Sequence, residues 1–266
     1  MLPLWFDGRI VERGDPCLSV LSDPTERPVC CTAARVRGGR VRHEAAHRAR
    51  LTRDAMTLGA GRVDDDRLTE AWAQLSEAAF GAAGAEGIIR IEAHPSEDGE
   101  AAHLLGTPRE VGDEPTTWKA ISCPTPHPGP GAHRGAKLVH FPAYEAARAH
   151  SASAGVDEGL LFNGIDHVVE GARSNLVVVR SDGSVVTPDP KLGAVRGVGL
   201  SVLQGAIAEI KPAAVTRDEL RAARELIAVN AVRGARAIVE VDAAPVGDGK
   251  PGDWAARLDA VLSDGD

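Results

Sequence analysis

Apolar residues along this chain recur with two spacings, and the changes from one to the other mark out its elements. Residues 2–6 form a short apolar run closed by Asp7-Gly8, which predicts a strand running into a hairpin. Residues 14–28 carry three prolines and no period, and read as loop. A strand over 30–36 is turned by Gly38-Gly39 and pairs back through 40–42. Helical spacing takes over across 43–58, with Ala46, Ala49 or Arg50, Arg53 and Leu58 on related faces. It recurs across 64–80, where Leu68, Ala71, Trp72, Leu75 and Ala79 fall three and four apart. Residues 87–93 return to alternation, so the first part predicts antiparallel strands with two helices.

Composition then shifts. Residues 94–116 are polar and acidic, 117–123 predict one more strand, and 124–135 hold too much proline and glycine for regular structure. Beyond this connector Pro142 starts a helix that ends at Gly155, and strands follow over 158–163, 166–170 and 174–180, with Asp182-Gly183 as a hairpin turn. Residues 199–210, 217–224 and 252–262 have helical spacing, while 225–230 and 235–241 are apolar strands. The domains predicted are a small α+β unit over 1–123, a linker over 124–136, and a larger unit over 137–266 with a β core and peripheral helices.

A chain of 266 residues can bury one large core or two modest ones. The net charge of −8, with signs interspersed, argues against a nucleic-acid partner held by phosphate neutralisation. No apolar run approaches the roughly 18 residues of a membrane span. The opening residues have neither a basic start nor a secretory apolar core, so a cytoplasmic protein is expected. Cys17, Cys30, Cys31 and Cys123 lack metal-ligand spacing and predict free thiols and no metal site.

Candidate chemistry concentrates between Lys137 and Leu200. Lys137 precedes a helix and then Gly155-Val156-Asp157-Glu158; Glu170-Gly171-Ala172-Arg173-Ser174-Asn175 opens a run of branched residues; Gly193 to Gly199 is a glycine-spaced turn feeding another helix. Upstream, His47-Arg48-Ala49-Arg50-Leu51 lies in the first helix. This order resembles the class IV aminotransferases, or fold type IV pyridoxal-phosphate enzymes. That group holds branched-chain and D-amino-acid aminotransferases and 4-amino-4-deoxychorismate lyases. The resemblance is strongest over 137–200, continues to the C-terminus and thins before Lys137. It implies a two-domain, D-amino-acid aminotransferase-like fold of α+β and α/β class, a homodimer, and pyridoxal 5′-phosphate as cofactor. By that resemblance Lys137 forms a Schiff base with the cofactor and moves the proton at the adjacent carbon. Glu170, in the motif completed by Asn175, keeps the pyridine nitrogen protonated so that the ring accepts electrons. The amides of Val198 and Gly199, at a helix N-terminus, take the phosphate. Arg50, whose planar fork suits a phosphate dianion, is its partner across the domain cleft, and Asn230-Ala231 stand where the family has a further phosphate contact.

The chain also departs from the family pattern. Phe141 stands in place of a tyrosine, Gly199 of a threonine and Ala231 of a hydroxyl residue, and 23–28 replace a glycine-rich stretch. Each lost donor removes about 1 kcal/mol of net interaction. Some aminodeoxychorismate lyases share these losses and the Asn-Ala pair, and their second strand is close to 33–36 after Thr32; residues 249–254 look more like D-amino-acid aminotransferases. The resemblance therefore implies a lyase acting on a small-molecule amine, aminodeoxychorismate, to release pyruvate and 4-aminobenzoate, with Thr32 donating to the departing group. The alternatives are an amino acid:2-oxo acid aminotransferase of branched-chain or D-amino-acid type, and a non-catalytic relative with a degraded cofactor site.

Overall fold

The computed structural model describes residues 2–82, 84–112, 115–131, 133 and 135–263. They divide into two compact units, one from 2–112 with Ala136–His140, the other from the described residues of 115–135 and 141–263.

The first unit is an antiparallel sheet with two helices. In chain order it comprises β1 (Leu4–Phe6), β2 (Arg9–Val11), β3 (Cys30–Arg37), β4 (Arg40–Val41), α1 (Glu44–Leu58), α2 (Asp65–Phe80), β5 (Glu86–His94) and β6 (His103–Glu110). The strands are ordered β2-β1-β6-β5-β3-β4. Asp64 caps α2 by accepting from the amides of Asp66 and Arg67, and α1 ends at Gly59 with φ 66°, where a side chain would be strained. Leu51 and Ala55 of α1 and Leu68, Ala71, Trp72 and Leu75 of α2 pack on Trp5, Ala34, Val36, Ile89, Ile91 and Leu104 of the sheet. The buried face of α1 is not the one its alanines predict. His47, Arg50, Leu51, Asp54 and Ala55 face inward while Ala49 is exposed, because the polar members find partners below.

Strand β6 was not legible in the polar stretch 94–116. It lies between β1 and β5 although it holds Gly106 and Pro108. A Cβ at Gly106 would come within 2.3 Å of Leu75 Cδ1, so glycine lets α2 approach the sheet. Pro108 is tolerated because β1 pairs only with Leu105 and Gly106 and leaves that flank open.

The second unit continues with β7 (Thr117–Ser122), α3 (Pro142–Ser153), β8 (Glu158–Phe162), β9 (Val168–Gly171), β10 (Asn175–Val179), β11 (Val185–Pro188), α4 (Val198–Ala206), β12 (Lys211–Ala213), α5 (Arg217–Arg221), β13 (Glu225–Asn230), β14 (Gly234–Val241), β15 (Ala244–Pro245) and α6 (Asp253–Ser263). Its sheet runs β12-β11-β10-β13-β14-β7-β8-β9, with β15 on β14. Strand β10 is buried along its whole length, as a continuous apolar run requires. Leu176 and Val178 face one core with Trp118, Leu160, Leu226 and Ile238; Val177 and Val179 face another with Leu203, Ile207, Leu258 and Leu262.

The geometric division differs from the sequence division in two places. Strand β7 is parallel to both β14 and β8 and so belongs to the second sheet, although 117–123 was assigned to the first domain. Lys137 and its neighbours belong to the first unit: Cys31 N donates to Lys137 O at 2.9 Å, Val139 N donates to Val29 O at 2.8 Å, and Cys30 bridges Leu138. Among the described residues no helix is long and apolar enough to cross a membrane.

The placement of β6 predicts that Leu104→Ala, at a fully buried position, lowers stability by about 2–5 kcal/mol, read as a fall in the urea midpoint. An unchanged midpoint would show that this strand does not pack under α1 and α2.

Candidate active site

Positions 47, 50 and 54 of α1 lie on one helical face, and β3 presents Thr32 to it. Burying polar groups is costly unless they are paired, and these are paired with one another. Arg50 Nη2 donates to Thr32 Oγ1 at 2.6 Å, and the same oxygen lies 2.6 Å from His47 Nδ1. Arginine only donates, so Thr32 Oγ1 accepts from Arg50 and shares a second hydrogen bond with His47 Nδ1. Burial, reinforced by the charge of Arg50, holds His47 well below the usual histidine range and therefore neutral. Asp54 is almost fully buried; its Oδ1 accepts from Arg53 and its Oδ2 from the backbone N of Lys137 at 2.9 Å. The backbone of half-buried Lys137 is thus held from one side by α1 and from the other by Cys31 of β3.

The first unit therefore brings Lys137, Arg50 and Thr32 into one neighbourhood, with one difference from expectation. Thr32 is fully buried, and its hydroxyl is engaged by Arg50 Nη2 and His47 Nδ1, so in this structure it positions Arg50. Arg50 Nε, also buried, has no partner among the described residues. An orphaned guanidinium N–H next to a neutral cluster suits an anion from outside the chain.

In the second unit Glu170 ends β9 and is 3% exposed. Its Oε1 accepts from Tyr144 Oη at 2.5 Å and Val195 N at 2.8 Å, and its Oε2 from Asn175 Nδ2 at 3.2 Å. Asn175 Nδ2 also donates to Val195 O at 2.9 Å, tying β10 to the glycine-spaced loop. Donors of this kind favour the charged carboxylate. Burial first, and then the nearby Glu170 charge, push the Tyr144 phenol far above its ordinary range, so it remains a donor. The turn after Glu170 rests on Glu158, fully buried, which accepts from Ser174 Oγ at 2.6 Å and from Arg173 N at 3.3 Å. A Cβ at Gly171 would lie 2.8 Å from the Glu158 carboxyl, and one at Gly197 would overlap Asn175 Oδ1 at 1.9 Å; packing explains both glycines.

Helix α4 begins at Val198, so the first-turn amides of Val198 and Gly199 have no helical acceptor. The structure brings Gly199 against Asn230 and Ala231: a Cβ at 199 would sit 3.1 Å from the Asn230 carbonyl carbon. A threonine there would require the 230–231 turn to yield by a few tenths of an ångström. Asn230 Oδ1 accepts from the amides of Val232 and Arg233, so its side chain closes the turn after β13. Sequence reasoning missed Tyr144, Asp54, His127 and the supporting role of Glu158. The available signal for Tyr144 was that it is the chain's only tyrosine, and Glu158 stood in the Gly155–Glu158 motif; nothing local marked Asp54 or His127.

Known proteins resemble this chain over most of its length. The family model for amino-transferase class IV matches residues 30–241. A probable branched-chain-amino-acid aminotransferase of Aquifex aeolicus is 24% identical over 117 residues, which is 42% of this chain and 37% of that relative. Among solved structures, the PLP-bound form of a hypothetical aminotransferase from Mycobacterium tuberculosis superposes with a TM-score of 0.82 at 20% identity, covering 98% of this chain and 97% of that one. A branched-chain aminotransferase from Thermoproteus uzoniensis with norvaline superposes with a TM-score of 0.82 at 21% identity, covering 98% of this chain and 93% of the other.

The buried histidines generate a pH prediction. His47 and His127 both sit below the usual histidine value, mainly through burial, so between the folded and unfolded pKa values the unfolded chain binds more protons. Stability is then fully present above about pH 6.5 and falls with further acidification, by at most about 1.4 kcal/mol per pH unit for each histidine. Urea midpoints at pH 7.5 and 5.5 should differ in the parent and differ less in His47→Asn. An equal loss in both proteins would contradict the assignment.

Proposed function

The chain belongs to the amino-transferase class IV family, with its fold and its dependence on pyridoxal phosphate, and from that premise we propose that it is an amino acid:2-oxo acid aminotransferase for apolar amino acids. The observation that carries the cofactor chemistry is Glu170, a buried carboxylate surrounded by donors that favour its negative charge. Transamination is supported by the relatives, among them the Aquifex aeolicus protein named as a branched-chain aminotransferase and the Thermoproteus uzoniensis structure with norvaline. Homodimerisation is part of the same reading.

When bound, pyridoxal phosphate supplies an aldehyde for the amine and a ring that accepts the electron pair left by a departing Cα proton. Lys137 Nζ would be the amine that holds the cofactor, and the base that moves the proton at the substrate Cα. Asp54 and Cys31 fix the Lys137 backbone, which limits the positions its amine can reach. Glu170 keeps the ring nitrogen protonated, and Asn175 holds Glu170 Oε2. Within the second unit the first-turn amides of Val198 and Gly199 would take the phosphate; within the first, Thr32 orients Arg50, whose orphaned Nε is a donor suited to an anion. Asn230 and Ala231 form the turn packed against Gly199 and set the room available there.

A second reading, 4-amino-4-deoxychorismate lyase, is favoured by one observation: positions 199 and 231 carry no hydroxyl, and Gly199 packs against the 230–231 turn. A phosphate site with fewer side-chain donors suits a cycle in which the cofactor returns directly to Lys137, without being held through two half-reactions.

A paired assay separates the readings: transfer of the amino group from apolar L- and D-amino acids to a 2-oxo acid acceptor, against release of pyruvate and 4-aminobenzoate from aminodeoxychorismate. Transfer without elimination is expected; elimination without transfer would make the lyase the function. Lys137→Ala should abolish turnover with the melting temperature unchanged, and full activity would remove Lys137 from its role. Glu170→Gln should retain cofactor and slow Cα-proton removal by about 10- to 100-fold, as for the loss of one charge-assisted contact. An unchanged rate with proton removal limiting would remove Glu170 from its role.

A further inference from the structure

The proline- and glycine-rich segment 124–135 reads as a tether, yet in the fold it is tied down at several points. His127 N donates to Phe162 O at 2.7 Å, and Arg196 N donates to Gly135 O at 3.0 Å. Gly129 packs so closely on Gly193 that a Cβ at 193 would lie 2.6 Å from the Gly129 carbonyl carbon. Gly129 and Gly135 therefore lie against the same 193–196 loop that donates to Glu170 through Val195.

Within it, His127 is 4% exposed and starts a hydrogen-bond chain whose direction can be assigned. Gly129 N, which can only donate, reaches His127 Nδ1 at 3.1 Å, so Nδ1 carries no proton. A neutral ring then has its proton on Nε2, which lies 3.2 Å from Tyr144 Oη. Tyr144 in turn donates to Glu170 Oε1 at 2.5 Å. Burial lowers His127 below the usual histidine range and so keeps the ring neutral, as this direction needs. Each donor in the chain polarises the next towards the carboxylate.

We propose that His127, acting through Tyr144, is a positioning residue for Glu170, and that the segment carrying it is a supporting part of the active site. The proposal rests on the reading of Glu170 as the partner of the cofactor's ring nitrogen. Tyr144 and Val195 both donate to Oε1 and Asn175 donates to Oε2, so the relay helps to fix the orientation of the carboxylate. Aromatic packing supports the geometry: the His127 ring lies 5.8 Å from that of Tyr144, and the Phe141 ring, tilted by 40°, lies 4.8 Å from it. Phe141 thus serves as the wall that orients the tyrosine.

The test has two arms. In the first, nitrogen NMR of the full chain labelled with 15N-histidine, without cofactor, reads the His127 ring, assigned by its loss in His127→Gln. The proposal expects a bare Nδ1 and a protonated Nε2 at neutral pH, with the ring signals displaced in Tyr144→Phe. A proton on Nδ1, or no displacement, would overturn it. In the second arm, solvent exchange of the substrate Cα deuterium is followed in cofactor-loaded variants whose melting curves match the parent. Tyr144→Phe and His127→Phe should slow exchange by about 2- to 10-fold, less than Glu170→Gln, as for loss of a neutral hydrogen bond. His127→Gln, which keeps a donor towards Tyr144, should recover most of that loss. Slowing in Glu170→Gln alone would overturn the relay. No slowing in any of the variants would instead overturn the reading of Glu170, and the proposal with it.

Discussion

A carboxylate buried to 3% exposure must be surrounded by donors or give up its charge, and much of the second unit meets that requirement at Glu170. The donors come from distant parts of the chain: Tyr144 from α3, Asn175 from the start of β10, and Val195 from the loop before α4. Gly171 and Gly197 are glycines because the chain passes too close to Glu158 and Asn175 for a side chain. Glu158, under the same turn, is fully buried as well. Burial outweighs its bonds to Ser174, Arg173 and Gly159 and raises its carboxyl above the usual range, which fits a support and not a charge carrier.

The first unit solves a related problem with a cation. Helix α1 turns His47, Arg50 and Asp54 into the protein together with Leu51 and Ala55. His47 stays neutral, Thr32 relays between it and Arg50, and Asp54 uses one oxygen on Arg53 and the other on the backbone of Lys137. One helical face therefore fixes both the guanidinium read as a phosphate ligand and the segment bearing the lysine. The chemistry assigned to this family needs a positioned amine, an anion site and a charged acid. In this chain the Lys137 backbone, the Arg50 guanidinium and the Glu170 carboxylate are each held by polar groups of their own unit.

Much of the fold was legible because strong periodicity survives in the sequence. The two helices of the first unit, the hairpin at Asp182-Gly183 and the apolar strands β10, β13 and β14 stand close to where their patterns place them. What was not legible depended on tertiary contact. Strand β6 has too few apolar residues to announce itself, and its Gly106 makes sense only against Leu75. Strand β7 carries no mark of which sheet it joins, because parallel pairing with β14 and β8 is decided by residues far along the chain. The same division runs through the site. Glu170, Asn175 and Lys137 lie in motifs with fixed spacing, whereas His127 sits among prolines and glycines and Tyr144 in an alanine-rich helix. Their relation to Glu170 exists only in the folded chain.

The account stands on Lys137 being the residue that carries the cofactor. Incubation of the full chain with pyridoxal phosphate, borohydride reduction, digestion and mass mapping of the peptides tests this directly. The predicted result is a visible absorption band that borohydride abolishes, with one pyridoxyl group per chain on the peptide containing Lys137. Label on Lys119, Lys191, Lys211 or Lys250 in its place, or a protein that stays colourless and unlabelled in excess cofactor, would contradict it.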